Sequence, residues 1–146
     1  MHEHAVSCGL SPLAAAALVA LAAVGCDVTT SPSPAGAMSL VRPPVFAEWW
    51  QEVEQCSGAT GDLGRVAWYV APCQAGESGF RCDVTQNGLC AGEWQPPHTI
   101  TLAGPNRFFP DGYVDDEWTV KHEMLHDLLG TSEHPAAFTV CHLQLR

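Results

Sequence analysis

His122-Glu123-Met124-Leu125-His126 is the stretch of this chain whose residue types and spacing could do chemistry. It reads H-E-x-x-H inside a segment, Asp115 to Leu129, whose pattern predicts a helix. On a helix, positions i and i+4 share one face, one turn apart, so both imidazoles point the same way. Two neutral imidazoles so placed can hold one Zn²⁺. The carboxylate beside the first His can then take a proton from the water that such an ion activates. That combination is the chemistry of hydrolysis.

A catalytic zinc site takes a third protein ligand and keeps an open position for water. His134 follows His126 just beyond Gly130, a stop signal for the helix. A chain that turns at Gly130 can bring His134 back over the helix face. Glu133 is a rival third ligand. Asp127 ranks below both, because the next residue on a helix points about 100° away. Tyr113 and His142 are candidates for stabilising an oxyanion. Tyr113 reads equally well as a core aromatic with its hydroxyl at the surface, and His142 as a surface residue. His98 starts a strand and takes no role.

Particular elements must position these residues. Pro43-Pro44 opens Val45 to Gln55, where Phe46, Trp49, Trp50 and Val53 recur at helical intervals before Gly58. This predicts an amphipathic helix that packs two Trp on a sheet. Val66 to Ala71 is β-branched and aromatic, a strand ended by Pro72. Gln74 to Gly92 reads as a loop. His98 to Ala103 alternates Thr outward with Ile and Leu inward, a second strand. Its edge could accept an extended peptide by β-augmentation. Gly104 to Gly112 is a loop. Asp115, Asp116 and Glu117 then put negative charge where the dipole of the next helix favours it. His134-Pro135 begins a short last helix through Phe138 and Cys141. The order helix, strand, strand, helix, helix predicts a small α+β fold over 43–146. The five Trp are most simply core, rather than a platform for sugars.

The chain has 146 residues, with 16 Asp+Glu against 6 Lys+Arg, and its cations are scattered. No basic footprint for nucleic acid is present, so nucleic acid is not an expected partner. Leu10 to Val24 is an apolar, Ala-rich run, too short for a comfortable membrane span and similar to a secretory leader. Ala23-Val24-Gly25-Cys26 resembles the lipobox of bacterial lipoproteins. That resemblance implies a signal peptide over 1–25 and a lipid-anchored Cys26, hence a place on a membrane of the bacterial cell envelope, at its periplasmic or extracellular face. Met1 to Gly9 depart from the pattern in carrying no Lys or Arg. Residues 26–42, rich in Ser, Thr, Pro, Ala and Gly, read as a flexible tether.

An exported domain sits in an oxidising compartment, where disulfides are the default. Cys82 and Cys90 flank the turn signal Asn87-Gly88 and could close a short loop. Cys56 and Cys141 end the first and last predicted helices, and a bridge between them would clip the domain's ends together. Cys73 is then free. No pair has the C-x-x-C spacing of a zinc knuckle.

The stretch HEMLHDLLGTSEHP resembles the active-site segment of the zincin metallopeptidases. In metzincins the pattern is H-E-x-x-H-x-x-G-x-x-H. Here Gly130 and His134 stand farther along, and no Met follows His134 to form a Met-turn. The ending His134-Pro135-x-x-Phe138 is similar to the third-ligand region of SprT-like zinc proteases. The resemblance implies a minimal zincin-like domain, Zn²⁺ as cofactor and hydrolysis of a peptide or protein substrate. His122, His126 and His134 would be the ligands and Glu123 the general base. A non-catalytic zinc-binding lipoprotein or interaction module is the alternative, because so small a domain leaves little room for a two-lobed cleft.

Overall fold

The computed structural model describes residues 34–83, 85–106, 110 and 112–144. The apolar run at 10–24, Cys26 and the first part of the tether lie outside the described residues. Among the described residues no helix is long and apolar enough to cross a membrane. The strands are β1 (Met38–Ser39), β2 (Ala67–Ala71), β3 (Phe80–Arg81), β4 (Leu89–Cys90), β5 (Gly92–Gln95) and β6 (Thr99–Ala103). The helices are α1 (Phe46–Ser57), α2 (Glu117–Leu129) and α3 (Ala136–Val140). This is the small α+β architecture that the order of elements predicts.

The main sheet has the order β1-β2-β6-β5, and β3 and β4 form a separate antiparallel hairpin. β2 and β6 run parallel, from Ala67 opposite Thr99 to Ala71 opposite Ala103. β1 and β5 flank them antiparallel. Register puts Trp68, Ile100 and Trp94 in one row across the sheet, all buried. They meet Phe46 and Val53 of α1, Val120, Met124 and Leu125 of α2, and Phe138 of α3 in the larger core. Each such side chain contributes about 1.5–3 kcal/mol on burial, so this layer dominates the fold's stability. Ala71 and Ala103 form a smaller core with Phe80, Cys82 and Cys90 of the hairpin.

Four features differ from the expectations. β6 is not at an edge: β2 and β5 pair with its two sides, so it has no free edge for a peptide. The edges are β1 and β5, and β5 lies inside or beside a segment read as loop, because Gly92-Glu93-Trp94-Gln95 carries no alternating apolar pattern. α1 packs mainly on α2 and α3 rather than on the sheet. α2 occupies the sheet face over β5 and β6, and α1 reaches the sheet through the Phe46 ring, 4.7 Å from that of Trp68. Met38 and Ser39, in the stretch read as tether, pair with Val70 and Tyr69 of β2.

Two disulfides staple the domain. Cys56 bridges Cys141, joining α1 to the end of α3, and Cys82 bridges Cys90, closing the β3–β4 hairpin. Cys73 is a free thiol whose Sγ donates to the Gly104 carbonyl.

Candidate metal centre

α2 begins where Asp116 caps it, its side chain accepting from the Thr119 N–H at 2.9 Å. It ends at Gly130, whose left-handed backbone (φ 63°) lets its N–H reach the His126 carbonyl. Between these stops His122, Glu123 and His126 are buried. The turn at Gly130 brings His134 back over them. His122 Nε2 lies 3.2 Å from His126 Nε2 and 3.1 Å from His134 Nε2. One nitrogen from each ring falls within 4.8 Å of the others, a group that could hold a metal ion.

Hydrogen bonds at the far nitrogens decide what these rings present. His122 Nδ1 lies 2.7 Å from the Leu143 carbonyl, and His126 Nδ1 lies 2.7 Å from the Thr131 carbonyl. A carbonyl oxygen only accepts, so both Nδ1 atoms carry the proton. Burial pushes the His122 pKa down to about 4; the Leu143 carbonyl opposes this, while His126 and His134 add to it. Burial also lowers that of His126, against the Thr131 carbonyl and with His134. Both rings are therefore neutral near pH 7, and their Nε2 atoms present lone pairs. Two lone pairs 3.2 Å apart cannot bond to each other. A cation between them satisfies both: ligands at 2.0–2.1 Å in tetrahedral array stand about 3.3 Å apart. The residues present thus fit a metal ion with nitrogen ligands.

Phe138 backs the site from α3. Its ring centroid lies 5.0 Å from His122, 4.6 Å from His126 and 4.7 Å from His134. Trp118 stacks on His122 at 5.0 Å. Burial among such apolar neighbours is what lowers the pKa of His122 and His126.

Glu123 shares the cleft with the three His, a cavity of about 380 Å³ that β5, α2 and the β4 end of the hairpin line. Burial pushes its carboxyl pKa up to about 8; the Trp94 backbone N–H, hydrogen-bonded to it, opposes this, and the charge of Glu93 adds to it. The Ala91 carbonyl accepts from Ala103 N–H at 2.8 Å. In an antiparallel ladder alternate residues bond inward, so Gly92 and Trp94 turn their backbone groups to the open edge.

The other candidates lie elsewhere. Glu133 is exposed and stands outside the donor group, so it is not the third member. Asp127 turns away from the metal-ligand face: its Oδ1 accepts from Trp94 Nε1 at 2.9 Å and meets His98 Nδ1 at 3.0 Å. His98, given no role from sequence, is thus part of a half-buried lock between α2 and the turn before β6. Tyr113 packs on the smaller core and His142 is exposed; neither lines the cleft. The supporting groups Leu143, Thr131, Trp94 and Gly92 escape sequence reasoning, since backbone carbonyls and a bare Cα carry no signature in residue type. Compared with models of known protein families, with curated proteins and with solved structures, the chain has no match.

Proposed function

We propose that this chain is a zincin-type, zinc-dependent peptidase, held outside the cytoplasm by a lipid on Cys26. The observation that carries the reading is the convergence of three imidazole nitrogens in one cleft with Glu123. A donor set of imidazoles without carboxylate suits Zn²⁺ rather than Mg²⁺ or Ca²⁺. His122, His126 and His134 would hold the ion, with the cleft side left open. When bound, Zn²⁺ supplies Lewis acidity that polarises a carbonyl and makes water a better nucleophile.

The chain's own groups do the rest. An extended peptide adds to the open edge of β5, where Gly92 and the Trp94 carbonyl offer backbone partners. Glu123 takes one proton of the attacking water as oxygen bonds to the scissile carbonyl carbon. The same proton goes to the leaving nitrogen as the C–N bond breaks. Only the ionised carboxylate can take that proton, and a bound cation beside Glu123 would favour that form against the burial that opposes it. Trp94 N–H, on the same strand as the substrate edge, aims that carboxylate.

The test is a Glu123→Gln variant assayed for zinc stoichiometry and for cleavage of a broad peptide mixture. Zinc should stay at the wild-type ratio while hydrolysis falls about 10²–10⁴-fold. A variant that binds zinc and hydrolyses as well as wild type refutes this mechanism. Wild-type protein that binds zinc and cleaves nothing favours a metal-binding lipoprotein.

A further inference from the structure

The cleft contains a charge that the metal chemistry does not use. Glu93, on β5, lines the cleft and is 9 % exposed. Among the described residues, ion pairs join His98 to Asp127 and Lys121 to Glu52 and Glu117, and none reaches Glu93. Its neighbours are Gln95, which hydrogen-bonds it, and the acids Asp83 and Glu123. Burial raises its carboxyl pKa; Gln95 opposes this and Asp83 adds to it. A buried carboxylate without a cation is costly, and a neutral side chain of the same shape would not be. Among the described residues the sole group of three or more metal donors is the His set, which does not include Glu93.

Strand geometry names the occupant. Side chains alternate across a sheet, so Glu93 points to the face opposite Gly92 and Trp94. On that face it sits across from Thr101, whose Oγ1 is buried without a hydrogen-bond partner. A peptide strand beside β5 puts one side chain directly across from Glu93, about 4.5–5.5 Å away between Cβ atoms. Thr85, Leu89 and Cys90 of the disulfide-closed hairpin wall this end of the cleft. The formal net charge of −10 favours the approach of cationic rather than anionic peptides.

We propose that Glu93 determines specificity, forming with Asp83 a subsite for a Lys or Arg side chain of the extended substrate. The inference rests on the peptidase reading of the same cleft. The basic side chain supplies the cation that Glu93 lacks, donating to its carboxylate.

The experiment uses the zinc-loaded chain and peptide sets that differ in one position, Lys, Arg, Gln or Glu, moved along an otherwise fixed sequence. Cleavage is measured for wild type, and binding of the intact peptides by calorimetry for the Glu123→Gln variant. A roughly tenfold preference for Lys or Arg over Gln is expected at one position, in both readouts. Glu93→Gln, which removes charge and keeps shape, should abolish it; Glu93→Ala, in case Gln disturbs Gln95, should do the same. An unchanged preference in both variants, or cleavage without any basic preference, overturns the subsite and leaves the peptidase standing. Charge-selective binding that needs Glu93 without any cleavage supports the subsite and overturns the peptidase reading. Neither cleavage nor selective binding overturns both.

Discussion

At the scale of residues, the candidate centre is made by small constraints on rings that sequence alone leaves free. The carbonyls of Leu143 and Thr131 fix two tautomers, and the Phe138 ring lies against all three imidazoles, two of them buried. Gly92 is a further constraint of this kind. A Cβ there would lie 2.8 Å from Glu123 Cγ and 2.9 Å from Thr119 Cγ2. Its backbone is not left-handed, so the need for glycine is one of space, not of conformation. Gly92→Ala should therefore push Glu123 from its place and separate α2 from β5. Unfolding in urea should show a loss of about 1–3 kcal/mol, the range for overpacking a filled interior. Hydrolysis should fall while the zinc ratio holds, because the strain lands on Glu123 rather than on the imidazoles. Wild-type activity in this variant would remove Glu123 from the role assigned to it.

At the scale of elements, the site depends on how α2 is locked to the sheet. Asp127 shows no exposed side-chain surface and accepts from the indole N–H of Trp94, on β5. Asp127→Ala leaves that N–H buried without an acceptor, which costs about 1–3 kcal/mol in unfolding free energy. His98→Ala should cost less, because His98 keeps 30 % of its side chain in solvent. Equal losses from the two variants would show that the Trp94 bond is not what holds the elements together. The elements that sequence reveals are those with a strong local signal. Asp116 and Gly130 bound α2 close to the predicted limits, and Pro43-Pro44 with Gly58 do the same for α1. β2 and β6 stand out by their β-branched and aromatic residues. β5 and the β3–β4 hairpin do not: they are short, rich in glycine and polar residues, and exist as strands only through pairing. That gap has consequences for the site, since β5 supplies Gly92, Glu93 and the Trp94 N–H. The spacing of His122, His126 and His134 is legible because a helix and a glycine stop fix their positions; the carbonyls behind them are not, because a backbone carbonyl has no signature in residue type, and that of Leu143 also comes from distant chain.

At the scale of the molecule, the long disulfide and the candidate metal centre share one piece of chain. Cys141 is bonded to Cys56 of α1, and two residues later Leu143 offers its carbonyl to His122. Leu143 is itself buried, and its N–H donates to the Phe138 carbonyl. The bridge therefore fixes α3, the ring of Phe138 and the carbonyl that sets the His122 tautomer together. The pair spans 85 residues, and closing a loop of that length stabilises by about 4.5 kcal/mol in the chain-entropy model. The Cys82–Cys90 pair spans 8, for which the same model gives about 2.5 kcal/mol. Replacing Cys56 and Cys141 together by Ser should then cost the larger share of stability and weaken zinc binding about 10–100-fold, the usual effect of losing a group that orients a ligand. Replacing Cys82 and Cys90 should cost less stability and change zinc affinity less, since the hairpin borders the cleft without holding an imidazole. Zinc affinity by competition with a chelating dye, and thermal unfolding with and without EDTA, read both effects. Equal zinc affinity in wild type and the Cys56/Cys141 double variant would mean that the tail stays in place without its staple, and that Phe138 and Leu143 are held by core packing alone.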